Sequence, residues 1–250
     1  MKQEILQITK NKVKEKLEKS DQKIINLSLI VEKLQLKINE LTELLKIISD
    51  QEYPSIDQIL GIKDYCKFYL LEDKSQISTL NFKEEEEIKK ILDYNIGITI
   101  EKDVKEITNK LCKNILELID TKEKIDLKID TLIKENYINL YNIATPKIAC
   151  KMIEIAGSFE RLSRYPASTI QLLGSEKSFF KALKFNKKTP KYGILYNHPL
   201  IINLTNKKKA KIARSLASKI ALGLKADVEK KDISKDLINK IKTKISEINE

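Results

Sequence analysis

The chain has 250 residues, 42% hydrophobic and 33% charged, with 47 Lys and Arg against 36 Asp and Glu for a net charge of +11. This length buries a sizeable core and spans one to three domains, and the apolar content excludes wholesale disorder. Six glycines and five prolines exclude a collagen-like repeat and a Gly-rich nucleotide-binding fold. No 18-residue apolar run exists and no apolar leader follows Met1, so neither a membrane span nor a signal peptide is expected. Cys66, Cys112 and Cys150 are far apart and odd in number, which predicts buried, reduced thiols in a cytoplasmic protein. Trp is absent and aromatics make up 6%, too few for a broad base-stacking platform.

Charge is unevenly distributed. Residues 1–140 carry 24 bases and 27 acids, whereas residues 141–250 carry 23 bases and 9 acids, including all three arginines, Arg161, Arg164 and Arg214. Between residues 141 and 219 there are 16 bases and only 3 acids. A genome rich in lysine codons accounts for the lysines, but not for the missing acids. The asymmetry predicts a near-neutral first part and a second part that binds a polyanion.

From Val13 to Ile48 a seven-residue repeat holds, with Leu17, Ile24, Val31, Ile38 and Leu45 at one position. Val13, Leu27, Leu34, Leu41 and Ile48 stand at its companion, where Ser20 is polar. This is a coiled-coil seam about 54 Å long, stopped at Tyr53–Pro54. A second seam runs through Val104, Leu111, Leu118, Ile125 and Leu132 with Ile115 and Ile129, weakened by Thr108 and Lys122. The two seams suit an antiparallel hairpin; Ile25, Leu29, Leu36 and Leu44 form a further stripe that suits a dimer, and the pattern leaves both open. Between them, residues 55–100 read as a helical insert. It holds Ile56–Leu60 ending at Gly61 as a C-cap, then Asp64–Leu71, then Phe82–Tyr94 with Ile88, Ile91 and Leu92 inward and acids at its start.

In the second part, residues 145–157 read as a helix with Thr145 as cap, Pro146 at the first position and Gly157 at the end. A short helix spans roughly Ser158–Arg164. After Gly174, Lys177, Lys181 and Lys184 share one side of a helix, Phe180 and Leu183 point the other way, and Glu176 sits at its start. The amides after Gly174 are a weak candidate for phosphate binding. The loop 184–199 adds Lys187, Lys188 and Lys191, with Tyr192, Tyr196 and His198 as candidate base contacts or, alternatively, ordinary core residues. In a helix at about 206–224, Lys207, Lys211, Arg214, Ser218 and Lys225 fall within about 40° of one line, opposite Ile212, Leu216, Ile220 and Leu224. Lys207–Lys209 crowd its first turn, the wrong end of the dipole for cations, a penalty that an external polyanion relieves. A last helix, 234–250, presents Leu237, Ile238, Ile241, Ile245 and Ile248.

The stretch AGSFERLSRYPASTIQLLGSEKSFFKALK, residues 156–184, followed in order by TPKYGILY, 189–196, and KIARSLASKIAL, 211–222, resembles the Nop domain of archaeal and eukaryotic box C/D ribonucleoprotein core proteins and their spliceosomal relative. The resemblance continues more weakly from about residue 20. It implies a non-catalytic scaffold whose Nop domain binds a kink-turn RNA jointly with a small ribosomal-protein-like partner. Gly174, Glu176 and Lys177 match the family's Gly-Ala-Glu-Lys motif, with Ser175 in place of Ala. Phe180, Lys181 and Lys184 match its aromatic and basic positions; Lys191, Tyr192 and Tyr196 its loop near the RNA; and Lys211 and Arg214 its basic helix. The coiled coil resembles one through which archaeal members self-associate. Archaeal members carry a further N-terminal domain that docks fibrillarin; because heptads begin by residue 13, no such domain fits, and direct fibrillarin docking is not expected.

The architecture expected is therefore all-α. A coiled-coil hairpin, 1–140, carries a helical insert at 55–100 and precedes a basic Nop domain, 141–233, and a C-terminal helix, 234–250. The RNA- and partner-binding candidates are Gly174, Glu176, Lys177, Phe180, Lys181, Lys184, Lys187, Lys188, Lys191, Tyr192, Tyr196, Lys207, Lys211 and Arg214. Catalysis is not expected: His198 is alone, and no paired-carboxylate signature, Walker glycines or metal-ligand spacing occurs, so neither cofactor nor metal is expected. The competing readings are a coiled-coil adaptor without specific RNA binding and, more remotely, an RNA-processing enzyme.

Overall fold

The computed structural model describes residues 19–249 except Asn81 and Glu84; the first turns of the expected coiled coil, with Val13 and Leu17, lie outside the described residues. Among the described residues every regular element is helical. In chain order they are α1 (Ser20–Glu52), α2 (Ile56–Ile59), α3 (Ile62–Leu70), a 3-10 turn (Lys74–Leu80), α4 (Glu85–Asp93), α5 (Lys102–Asn136), α6 (Ile138–Ala144), α7 (Pro146–Ala156), α8 (Phe159–Ser163), α9 (Ala167–Leu172), α10 (Glu176–Lys184), a second 3-10 turn (Ile194–Asn197), α11 (Pro199–Ile202), α12 (Asn206–Val228) and α13 (Ser234–Asn249). The all-α expectation holds. The chain forms two compact units, one of residues 30–125 and one of the segment up to residue 29 together with 126–250. Both long helices contribute to each unit.

In the unit of residues 30–125, the middle of α1 and the first half of α5 run antiparallel: Glu52, at the end of α1, pairs with Lys105, at the start of α5, at 3.1 Å. The innermost line of α1 is one residue off the expected seam. Ile38 and Leu45 are buried as expected, but beside them lie Thr42 and Ser49 rather than Leu41 and Ile48, which are only half-buried. On α5, Thr108, expected to weaken the seam, is fully buried with Cys112 and Ile115. Small hydroxyl residues reach the helix interface because each bonds the carbonyl one turn back: Thr42 to Ile38 at 2.7 Å, Ser49 to Leu45 at 2.9 Å and Thr108 to Val104 at 2.8 Å. None of these three hydroxyls is left without an acceptor.

The insert packs Tyr65, Phe68, Tyr69, Ile77 and Ile88 onto this line. Gly61 does not close α2 as a C-cap: its φ of −64° is ordinary, and it stands at the N-terminal flank of α3. The 3-10 turn is fastened by Lys74, whose ammonium donates to the carbonyls of Phe68, Tyr69 and Leu71 at 2.7, 3.0 and 2.7 Å. Those carbonyls lie at the α3 C-terminus, where a cation also meets the favourable end of the dipole. Cys66, Cys112 and Cys150 are free and buried, as expected for reduced thiols.

In the other unit, α12 packs against α6, α9 and α13, and its core face, Ile212, Leu216, Ile220 and Leu224, is fully buried. The N-terminal part of α1, up to Leu29, belongs here. Ser20 donates to Asn136 at 3.0 Å, Ser28 to Glu154 at 2.6 Å, and the Asp21 carboxylate accepts the N–H of Phe159 at 3.0 Å at the start of α8. The start of α6 is held by Asp227 at the end of α12. Its carboxylate accepts the N–H and the side-chain amide of Asn139, at 2.9 and 2.7 Å, and the N–H of Leu140 at 2.9 Å. Asn139, wholly buried, donates also to the Lys231 carbonyl at 2.7 Å and accepts from the Ile233 N–H at 2.8 Å. One acid–amide pair thus joins α6, α12 and the turn into α13.

α7 begins at Pro146, but Thr145 gives no side-chain cap; α7 ends at Gly157, whose N–H reaches the carbonyls of Ile153 and Glu154. α8 is capped by Ser158, which accepts the Arg161 N–H at 3.1 Å.

Candidate nucleic-acid interface

Three groups of side chains in the unit that contains α6–α13 bear on the expected interface. The first surrounds Gly174, which joins α9 to α10 at φ +79°. A Cβ there would lie 2.6 Å from Ile194 and 3.2 Å from Ile155, so both the backbone sign and the packing exclude a side chain. Of the amides expected to meet a phosphate, those of Gly174 and Ser175 are already engaged within the chain. Glu176 turns its carboxylate back onto the Gly174 N–H at 2.9 Å, and the Ser175 N–H goes to the Leu172 carbonyl at 3.0 Å. Along α10, Lys177, Lys181 and Lys184 are exposed. Phe180 and Leu183, expected on the side away from the lysines, are 68% and 58% exposed, and Phe185 follows at 55%. Ala182 alone is buried in α10, so α10 carries an apolar surface interleaved with lysines.

The second group is the loop 185–198. Lys187, Lys188 and Lys191 are exposed. The loop is pinned to α9 by Gly193 N–H to Gln171 carbonyl at 2.8 Å, Ile194 N–H to Leu173 carbonyl at 2.9 Å, and the Gln171 amide to the Lys191 carbonyl at 2.6 Å. Gly193 is required by this approach: a Cβ there would stand 1.9 Å from the Leu173 carbonyl oxygen. Tyr192 and Tyr196 stack on each other, centroids 5.4 Å apart and planes at 19°. The ammonium of Lys209 sits over the Tyr196 ring at 4.5 Å. Lys209 is therefore a buried packing residue, not part of a solvent-facing triplet. His198 is likewise structural. It is buried, its Nε2 lies 3.0 Å from the Ile143 carbonyl, and its Nδ1 accepts the Leu200 N–H at the start of α11. Burial holds its pKa below the usual histidine value, which keeps the imidazole neutral, with Nε2 as the donor.

The third group lies where α12 meets α13. Lys207, Lys211 and Arg214 are exposed on α12, and no described acid forms an ion pair with them. Lys211, Arg214, Ser215 and Ser218 form one wall of a groove of about 630 Å³, and Lys244 and Glu247 of α13 form the other. Lys244, absent from the sequence-derived set, pairs with Glu247 at 2.6 Å. Its signal was weak: α13 alternates bases and acids, and only the antiparallel return of the helix sets Lys244 beside α12.

The structure thus brings Gly174 together with Glu176, Tyr192 with Tyr196, and Lys211 and Arg214 in one groove with Lys244. Lys177, Phe180, Lys181 and Lys184 lie on one helix, and Lys187, Lys188 and Lys191 on one loop. Among the described residues no group of His, Cys, Asp or Glu is arranged to hold a metal ion, and no helix is long and apolar enough to cross a membrane.

Relatives bear on this arrangement. An uncharacterized NOP5 family protein of Methanocaldococcus jannaschii is 28% identical over 97% of this chain and 60% of its own length. Nucleolar protein 58 of Saccharomyces cerevisiae is 34% identical over 78% of this chain and 38% of its own. The chain thus spans less than two thirds of these relatives. Among solved structures, a fibrillarin/Nop5p complex contains a chain with a TM-score of 0.59 and 24% identity, covering 98% of this chain and 76% of that one; the likeness is one of fold. That neighbour was solved with fibrillarin, whereas the sequence of this chain leads to an expectation against direct fibrillarin docking. Residues 30–247 match the family described as "Nop: snoRNA binding domain, fibrillarin", and the chain belongs to that family.

Proposed function

We propose that the chain is a non-catalytic ribonucleoprotein scaffold that binds a kink-turn RNA jointly with a small ribosomal-protein-like partner, as in box C/D ribonucleoprotein assembly. The observation that carries this reading is the pairing of two surfaces in a member of a snoRNA-binding family. On α12, Lys207, Lys211 and Arg214 project without acid partners. On α10, Phe180 and Leu183 are exposed between lysines. Unpaired cations on a folded helix favour phosphate contacts, which position RNA without reading its bases. An exposed ring and leucine amid lysines suit a protein partner that buries them while the lysines reach nearby RNA. The A-form major groove is closed to side chains, so selectivity resides in RNA shape and in the partner. Leu36, Leu44 and Ile47, 61%, 51% and 66% exposed on α1, support self-association through the hairpin.

The test is a gel shift of a kink-turn RNA with the chain alone, the partner alone and both together. A ternary band well above either binary band is expected. Equal retention of a straight duplex of the same length, with or without the partner, would refute the reading and leave a coiled-coil adaptor as the better one.

A further inference from the structure

The groove between α12 and α13 is built from both helices, and the second helix contributes a mismatched pair of charges. Lys211 and Arg214 stand on one wall with no described acid partner. On the other, Lys244 is bound to Glu247 across one turn at 2.6 Å, with both side chains about half exposed, 52% and 53%. Ser218 turns its hydroxyl back to the Arg214 carbonyl at 3.0 Å, so cations rather than hydroxyls dominate the lining. The only described acid in the groove is therefore already engaged by the cation that faces α12.

We infer that α13 completes the polyanion groove, with Lys244 as a third ligand of the RNA phosphates and Glu247 as a resident counter-ion that the phosphate displaces. This rests on the RNA-binding reading above. An exposed pair of this spacing contributes little to stability, so it parks Lys244 without locking it. A phosphate entering the groove meets cations on both walls, and Lys244 exchanges a single carboxylate for a doubly contacted phosphate oxygen. Bases on two facing helices fit a sugar–phosphate strand lying along the groove, since contacts of this type fix register and orientation. Glu247 competes with that strand for Lys244 and so sets a threshold for binding.

The experiment measures binding of the full chain to kink-turn RNA with the ribosomal-protein-like partner, across a salt series, for wild type, Lys211→Ala, Lys244→Ala, Glu247→Ala and the double variant Lys244→Ala/Glu247→Ala. Circular dichroism checks that each is folded. Loss of one phosphate contact lowers the slope of log K against log salt by roughly 0.7 to 0.9, and Lys244→Ala is expected to show that change together with a severalfold loss of affinity. Glu247→Ala is expected to bind severalfold more tightly, and the gain should fall by at least half when Lys244 is also removed. If Lys211→Ala weakens binding while Lys244→Ala matches wild type in affinity and slope, the inference is overturned and the RNA-binding reading stands. An undiminished gain from Glu247→Ala in the double variant overturns the counter-ion role. If wild type binds no kink-turn RNA at low salt even with the partner, both fall. Polyglutamate captured through Lys244 as tightly as RNA overturns the assignment to phosphate.

Discussion

Replacing Asp227 with Ala tests how the basic helix is held in place. The Asp227 carboxylate accepts three hydrogen bonds from the first turn of α6, two from Asn139 and one from Leu140. Asp227 is 7% exposed and Asn139 is fully buried. Burial is the largest influence on this carboxyl and holds it above the usual carboxylate range in spite of the three donors. The replacement orphans two backbone N–H groups and one side-chain amide donor. Each buried orphan costs about 1–3 kcal/mol, but Asn139 keeps its bond to Lys231 and water reaches part of the opened space, so a total of about 3–5 kcal/mol is expected. For a unit of this size that lowers Tm by roughly 10 °C. Asp227→Asn keeps the shape but sets an amide against a donor, and should cost about 1–3 kcal/mol. Urea unfolding followed by circular dichroism measures both. A loss below 1 kcal/mol for Asp227→Ala, or a larger loss for Asn than for Ala, would refute the view that this acid fastens α12 to α6.

Three further outcomes are expected. Gly193→Ala drives a Cβ into the Leu173 carbonyl, 1.9 Å away, and should break the two backbone bonds from the loop to α9 at a cost of about 2–3 kcal/mol; a thermal midpoint equal to wild type would contradict the close approach. The pKa of His198 is depressed in the folded chain, so below the unfolded value of 6.5 the unfolded state binds the extra proton first. Stability should fall as pH drops from about 6.5 towards the folded pKa, by at most about 1.4 kcal/mol per pH unit. The same pH slope in His198→Gln would exclude this residue as its source. Lys209→Met removes a cation–π contact and should cost about 0.5–2 kcal/mol of stability while leaving the salt dependence of RNA binding unchanged, whereas Lys211→Met should do the reverse; a reduced salt slope in Lys209→Met would put it back on the interface.

Much of the fold was legible because it rests on local signals. The heptads and the amphipathic pattern of α12 placed the long helices, and Pro146 and Gly157 bracketed α7. The seam was read one residue out because hydropathy ranks leucine above threonine and serine. In α1 and α5 the innermost line contains Thr42, Ser49 and Thr108, whose hydroxyls are satisfied within their own helices. A hydropathy scale records the hydroxyl but not the bond that neutralises it. The helix α6 and its lock on Asp227 were missed for a related reason: the cap comes from a residue 88 positions away.

The candidate interface divides the same way. Lys211 and Arg214 were readable from the helical angle of α12. The burial of Lys209 under Tyr196 was not, because it depends on how the loop folds back on α12. The pattern of α10 set Phe180 and Leu183 opposite its lysines but did not show that the core position falls to the small Ala182. Lys244 was invisible because its role depends on the antiparallel return of α13.

The central claim is tested most directly by reversing charge at the two cations that stand on α12 without an acid partner. In Lys211→Glu/Arg214→Glu, the far-ultraviolet circular dichroism should match wild type, because both side chains are exposed, while the yield of the complex with kink-turn RNA and partner should fall by an order of magnitude or more. An unchanged yield of that complex from a fully folded double variant would contradict the account.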